Sequence, residues 1–219
     1  HFDVLPEGRL RWSARSTMQG LGLNWPAPLG KPTELQRPLV LQGRGDDSGH
    51  RIEVEQGELL RGSLRLLPRE TGWAFDRGVI GFNQGADTLP DLPGLWVRGR
   101  LERLTPQDLA AWHSVWAVRG TPSGQPWTLP PWLGGIDLAV GVVEGPGLRQ
   151  VGVQFALERS GALPSLRLQA PALEGNVRMG ANGNLWQVNL KRLDLDALQQ
   201  VADSGNSATD SLPRSILDP

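Results

Sequence analysis

Apolar and polar residues alternate with a period of two along most of this chain. In a strand, successive side chains point to opposite faces, so each alternating run predicts a strand with one apolar and one polar face. The pattern is typical of antiparallel sheets with one face in water, and not of a parallel sheet buried on both sides. In the first half, the apolar positions are Leu10, Trp12 and Ala14, then Ile52 and Val54, then Leu64 and Leu66, and then Leu95, Val97 and Leu101.

The second half repeats the alternation and supplies the candidates for an exposed apolar surface. Each of its runs puts its apolar side chains on a single face, so the strands can share one continuous surface. The chain is therefore predicted to be mostly β, with an antiparallel sheet and one or two short helices. The candidate residues are Ile136, Leu138, Val140, Val142, Val151, Val153, Phe155, Leu157, Leu166, Leu168, Val188 and Leu190.

Two segments interrupt the alternation and predict the helices. Residues 105–108 (Thr-Pro-Gln-Asp) combine an N-cap, a proline at the first helical position and an acid in the first turn. Apolar residues follow at helical spacing, which predicts a helix over roughly 106–117. Near the C-terminal end, Asp194 or Asp196 could cap a second helix that Gly205 would stop.

The two helices follow similar strand ends, Leu101–Leu104 (LERL) and Leu190–Leu193 (LKRL). One interpretation is that residues 1–202 form a β segment of two similar strand–helix units, about 1–118 and 119–202. Chance similarity in a chain rich in Leu and Arg is the alternative, and the sequence favours neither. Residues 203–219 are polar and predict a linker.

Composition narrows the function classes. Glycine and proline number 28 and 18, which predicts many turns, such as GRGDDSG at 43–49 between two alternating runs. The chain has 22 basic and 23 acidic residues, and this balance excludes the strong basic footprint of a nucleic-acid-binding protein. It contains no cysteine, which excludes disulfides and thiolate metal sites. No run approaches the ~18 apolar residues of a membrane span.

The sequence offers no convincing catalytic group, metal site or cofactor site. The three histidines, His1, His50 and His113, lack the close spacing of metal ligands. Acidic pairs such as Asp46–Asp47 and Glu53/Glu55 have adequate roles in a turn and on a polar strand face. We therefore expect a protein that is not an enzyme.

Tryptophan is the unusual residue type, with nine copies beside no tyrosine. Most of them fall on apolar faces or in proline-rich loops, where packing explains them. Trp96 is predicted on a polar strand face and is the best candidate for a stacking platform. A glycan-binding β-sandwich therefore stays open as an alternative function.

Several motifs resemble one family in order and spacing. Residues 21–32 (LGLNWPAPLGKP) resemble the "apolar–x–apolar–P–x–P–L–G–K" segment of the YhdP family of AsmA-like envelope proteins. The resemblance spans about residues 10–198. The further matches are 94–99 (GLWVRG), 108–112 (DLAAW), 135–138 (GIDL), 170–175 (APALEG) and 190–195 (LKRLDL).

The resemblance implies an elongated, curved, folded-over sheet whose groove carries phospholipid between the inner and outer membranes. It also implies a location at the periplasmic face of the inner membrane, with an N-terminal anchoring helix absent from this sequence. The twelve candidate residues would then face lipid, and neighbouring segments of the same chain and other envelope proteins would be partners. An envelope assembly scaffold with an ordinary closed core is a second alternative.

Overall fold

The computed structural model describes residues 2–4, 9–83, 88–116, 130–145, 148–160, 163–179 and 186–194. These residues form one sheet of twelve strands in which spatial order equals chain order. The sheet is curved. It is also open, because β1 and β12 at its two ends do not pair with each other. The predicted mostly β fold with a curved sheet is confirmed.

The strands differ greatly in length, and the longest lie near the middle and in the second half of the sheet. Their bounds are β1 Phe2–Val4, β2 Leu10–Ser16, β3 Leu39–Asp46, β4 Gly49–Gln56, β5 Leu60–Arg69, β6 Gly72–Phe82, β7 Gly94–Leu104, β8 Leu133–Gly145, β9 Leu148–Ser160, β10 Leu163–Gln169, β11 Leu173–Met179 and β12 Trp186–Leu193. The helix α1, Pro106–Trp116, lies between β7 and β8 in the chain.

The β3–β4 connection is shorter than the sequence suggested. Only Asp47 and Ser48 lie between the two strands, so the Gly43–Asp46 part of the predicted turn belongs to β3. Gly43 lies opposite Trp12, and a Cβ there would lie 2.1 Å from the indole Nε1. This glycine therefore makes room for a cross-strand aromatic ring rather than for a turn.

The expectation of a purely antiparallel sheet is wrong at one strand. β7 pairs in parallel with both β6 and β8, and the other described pairs are antiparallel. Parallel neighbours need crossover connections, and the chain provides one on each side of β7. Residues 83–93 lead from β6 back to the start of β7, and Arg77 donates hydrogen bonds to the Pro90 and Asp91 carbonyls of this connection. The second crossover contains α1.

The start of α1 confirms the predicted capping sequence. The Asp108 amide donates to Thr105 Oγ1 at 3.1 Å, and the Thr105 amide donates to Asp108 Oδ2 at 2.9 Å. This reciprocal pair satisfies backbone donors that the first helical turn leaves without intrahelical partners. The second predicted helix, beyond Asp194, lies outside the described residues, as does the predicted linker 203–219. The division into two similar units therefore stays a prediction.

A hydrophobic cluster lies at the centre of the sheet and joins both halves of the chain. Its buried members are Leu60, Phe82, Val97, Leu101, Leu104, Leu133 and Val140. Because the cluster spans β5 to β8, the strands before and after α1 share one core.

Candidate functional site

One face of the sheet is apolar from β2 to β12, and the strand register shows this directly. Residues that oppose each other across neighbouring strands project to the same face. We call the surface built on the following row and the rows beside it the apolar face. The row is Ala14, Leu41, Val54, Gly62, Ile80, Val97, Ile136, Leu157, Leu166, Val177 and Val188.

A second row on the same face is nearly as apolar. It contains two polar members at one end, Ser16 and Gln56, and two glycines. The row is Ser16, Leu39, Gln56, Leu60, Phe82, Gly99, Leu138, Phe155, Leu168, Gly175 and Leu190. A slip of one residue in any strand would turn its apolar set to the opposite face, so burial of this face fixes the register.

The apolar face is not uniformly open, because its centre is buried. Val140 and Val153 oppose each other on β8 and β9 and are only 1% and 3% exposed. Leu101 of β7 lies beside Val140 and is also buried. This part of the face is an ordinary dry core.

The connection between β2 and β3, residues 17–38, covers part of the apolar face. We call it the covering loop. Leu29 packs against the central cluster, and Met18 is buried where Gln56 Nε2 approaches its sulfur at 3.4 Å. Since Gln56 belongs to the apolar face, these contacts place the loop over strands in the first half of the sheet.

Internal hydrogen bonds hold the covering loop in shape. Leu23 and Lys31 exchange two backbone hydrogen bonds at 2.8 and 3.0 Å. The Lys31 side chain is buried, and its ammonium donates to the Pro32 and Leu35 carbonyls. Arg37 donates to the carbonyls of Leu29 and Gly30. The loop is therefore a defined structural element whose charged groups bind its own backbone.

Helix α1 contacts the same loop. Trp112 Nε1 donates to the Ala27 carbonyl at 3.1 Å, and its ring meets Trp25 edge-on with centroids 6.3 Å apart. The PAPLGK stretch used to identify the family resemblance thus contributes to the contact between the covering loop and α1.

Beyond the centre, the apolar face reaches solvent. Val151 on β9 is 58% exposed, and Val188 and Leu190 on β12 are 57% and 48% exposed. Aliphatic side chains this open on a regular sheet face form the part of the surface that is available to a ligand or partner.

The twelve candidates therefore divide into three groups by burial. Val140 and Val153 are buried, and Val151, Val188 and Leu190 are exposed. The other seven are half-buried, namely Ile136, Leu138, Val142, Phe155, Leu157, Leu166 and Leu168. The register places all twelve on one face, and contact with lipid stays a prediction.

The candidate set omitted the first half of the sheet. Leu41, Val54 and Ile80 lie on the same face as the candidates, in the row that contains Ile136. The alternating run of Val54 was visible in the sequence. Leu41 and Ile80 each directly follow another apolar residue, Val40 and Val79, so alternation did not mark their face. The covering loop likewise gave no period-two pattern that would have placed it over this face.

Trp96 lies on the opposite, polar face, as predicted, but it is not a free stacking platform. Its indole packs against Gly134 and Gly135 at the start of β8, where an added Cβ would come within 2.6 Å of the ring. The Arg98 guanidinium lies 5.7 Å from the ring centroid, and Trp96 Nε1 is buried without a hydrogen-bond partner. These contacts give Trp96 a packing role between β7 and β8.

Two negative observations concern the described residues alone. Across them, no cluster of three or more His, Asp or Glu side chains could hold a metal ion. No helix in the same residues is long and apolar enough to cross a membrane.

A family model described as "YhdP protein" matches residues 5–216. No curated protein and no solved structure matches the chain.

Proposed function

Because this chain belongs to the YhdP family, we propose that its apolar face shelters the acyl chains of phospholipid as one section of a longer groove. In this proposal, the full protein is anchored in the inner membrane, lies in the periplasm and carries phospholipid between the inner and outer membranes. The observation that carries the proposal is the apolar row through eleven consecutive strands, whose far end leaves Val188 in solvent.

The dimensions of the apolar face in the second half of the sheet suit an acyl chain. Neighbouring strands lie about 4.8 Å apart, so the four gaps from β8 to β12 span roughly 19 Å. One acyl chain covers about half of the ~30 Å hydrocarbon core of a bilayer, or roughly 15 Å. A single chain laid across these strands would therefore fit within the described part of the sheet.

The energetics favour such contact without demanding particular residues. Burial of a methylene contributes about 0.8 kcal/mol, and the effect has no direction. A lipid that buries ten of its methylenes against the sheet would gain on the order of 8 kcal/mol of binding free energy before entropic costs. An aliphatic surface with no convergent polar groups is what this binding requires.

The neighbours in the groove would be further segments of the same long chain. Within the described residues, β1 and β12 each pair with one strand only. The free edge of a strand offers backbone groups to another strand, so adjacent segments could continue the sheet on either side.

A lipid-binding experiment with charge variants tests the proposal. The purified chain is mixed with vesicles of phosphatidylethanolamine and phosphatidylglycerol and re-isolated, and its bound lipid is measured by mass spectrometry. We expect the double variant Val151→Glu/Val188→Glu to bind lipid about tenfold less, because each carboxylate would lose water against an acyl chain.

A matched control places the same charges on the opposite face of the same strands. Gln154 and Gln187 are exposed on the polar face of β9 and β12. The double variant Gln154→Glu/Gln187→Glu should keep the lipid content of the parent. If the parent carries no lipid, or both double variants lose it equally, the groove proposal fails.

The buried centre supports one competing function. Leu29 of the covering loop closes over the central cluster, and Val140 is almost inaccessible. An assembly scaffold would use such a closed core for stability and would cover Val151 and Val188 with protein. Lipid-free parent protein that instead binds an envelope protein through these residues would favour the scaffold.

A further inference from the structure

The polar face carries a row of arginines that the apolar-face proposal does not use. Arg11 of β2 opposes Arg44 of β3, which opposes Arg51 of β4. Arg51 in turn opposes Arg65 of β5, which opposes Arg77 of β6. We call these five residues the arginine row.

This arrangement is costly unless something compensates it. Like charges directly opposite on neighbouring strands destabilise a sheet, and opposing Cα atoms lie only about 5 Å apart. The row places five positive charges on roughly 19 Å of sheet, taking about 4.8 Å for each of its four gaps.

Carboxylates within the sheet compensate the row only in part. Glu53 Oε1 accepts a hydrogen bond from Arg44 Nη2 at 2.6 Å. The same oxygen forms an ion pair with Arg51 Nε at 3.2 Å. Asp76 pairs with Arg77 at 2.8 Å and lies 3.9 Å from Arg65. Asp3 of β1 also lies opposite Arg11. Three carboxylates against five guanidinium groups therefore leave a local excess of two positive charges.

The excess lies beside a surface depression at the β3–β4 turn. The depression has a volume of about 440 Å³, and the ionisable residues of its lining are five arginines, one aspartate and one histidine. The arginines are Arg9, Arg11, Arg44, Arg51 and Arg65, and the other two residues are Asp46 and His50.

The aspartate reduces this excess by one charge. Asp46 Oδ1 accepts hydrogen bonds from the Ser48 hydroxyl and the Ser48 amide within the β3–β4 turn. These hydrogen bonds hold the pKa of the Asp46 carboxyl below its usual range, so it stays ionised, but one of its oxygens already serves the turn. The remaining field in the depression is positive.

From this geometry we infer that the depression is a binding site for a phosphate group. A guanidinium offers a planar fork of donors that matches phosphate oxygens, and charge-assisted hydrogen bonds of this kind are the strong ones. Two arginines about 5 Å apart on adjacent strands can both reach the oxygens of one tetrahedral phosphate.

The phosphate can belong to a phospholipid head group or to a soluble phosphate ester, and both present the same chemistry. Arg11, Arg44 and Arg51 project to the face opposite the apolar face, whereas Leu10, Gly45 and His50 of the same lining lie on the apolar face by register. Val151 and Val188, the residues that test acyl-chain binding, do not line the depression. A variant that abolishes one activity should therefore leave the other intact.

Binding of two probes tests the site and distinguishes the sources. Inorganic pyrophosphate is titrated into the purified chain by calorimetry, and vesicle sedimentation compares phosphatidylglycerol with phosphatidylcholine. The test variant is Arg11→Gln/Arg44→Gln, because both side chains are exposed and neither belongs to the central core. The control is Arg178→Gln, an exposed arginine on the polar face of β11, far from the row.

We expect the double variant to weaken binding about tenfold or more, since each lost charged hydrogen bond is worth roughly a factor of ten. The Arg178→Gln protein should bind like the parent, and circular dichroism should show all three proteins folded. Binding of pyrophosphate alone would assign a soluble ester, and binding of phosphatidylglycerol vesicles alone would assign a head group. The inference is overturned if the parent binds neither probe, if Arg178→Gln weakens binding equally, or if polyglutamate competes as well as pyrophosphate.

Discussion

Val151 and Val153 lie two residues apart on β9 and project to the same apolar face, yet one is 58% exposed and the other 3%. Replacing each by glutamate puts the same charge on the same strand in two environments. Val153→Glu places a carboxylate opposite Val140, which is itself 1% exposed. Val151→Glu places it where water can reach it.

The expected magnitudes differ severalfold. Burial raises the pKa of a fully buried carboxyl by up to about 3–5 from its unfolded value of about 4.3, so the carboxyl would fold protonated at pH 7. At 1.36 kcal/mol for each pH unit above the unfolded pKa, this protonation costs up to roughly 4 kcal/mol at pH 7. That is a large part of the ~5–15 kcal/mol that stabilises a typical domain. We therefore expect Val153→Glu to lower the free energy of unfolding by several kcal/mol. Val151→Glu should cost less than about 1 kcal/mol.

The pH dependence gives an independent check. A carboxyl whose pKa is raised in the folded state favours folding below its unfolded pKa of about 4.3, and this contribution is lost as pH rises through the folded pKa. The gap in stability between Val153→Glu and the parent should therefore be wide at pH 7 and narrow near pH 4.5. The gap for Val151→Glu should stay small throughout.

Urea unfolding followed by circular dichroism measures both effects. Comparable slopes of unfolding free energy against urea concentration, in the parent and the variants, would show that unfolding exposes the same surface in each protein. The reasoning is refuted if the two variants unfold within about 1 kcal/mol of each other at pH 7, since Val153 would then not lie in a dry core.

Two further predictions concern the elements around the apolar face. Leu29→Ala should destabilise the chain by about 1–3 kcal/mol in urea unfolding because it removes a contact with the central cluster; Leu21→Ala, in an exposed part of the same loop, should change stability by less than about 0.5 kcal/mol. An equal effect of the two would show that the covering loop is not packed through Leu29. Thr105→Ala should cost about 0.5–2 kcal/mol by the same assay because Asp108 loses its capping partner, whereas Thr105→Ser should keep most of the stability. Identical losses in these two variants would argue against the cap.

Much of this architecture could be predicted from local patterns. Alternation located nine of the twelve strands and their apolar faces, because successive strand residues project to opposite sides whatever their neighbours are. It did not locate β1, β3 or β6. Residues 105–108 located the start of α1, because an N-cap acts through hydrogen bonds within the first turn of its own helix. The family resemblance likewise came from local motifs, and the match over residues 5–216 confirms it.

Other features depend on partners that are distant in the chain. The parallel pairing of β7 is decided by two crossovers, and a strand with one apolar face alternates in the same way whether its neighbours run parallel or antiparallel. The arginine row likewise forms only when the strands β2 to β6 pair in one particular register. Neither is visible in any single run of residues.

The sequence by itself determined which face each side chain of β9 would occupy, and the tertiary structure decided which part of that face is core and which part is surface. Val151 and Val153 are equivalent in periodicity, in residue type and in face. They differ because burial depends on what packs against a position from elsewhere in the chain, and the centre of the face is packed by its own neighbours and by Leu29 of the covering loop. Alternation records the direction of a side chain, whereas exclusion of water requires a second surface, which only the folded chain supplies.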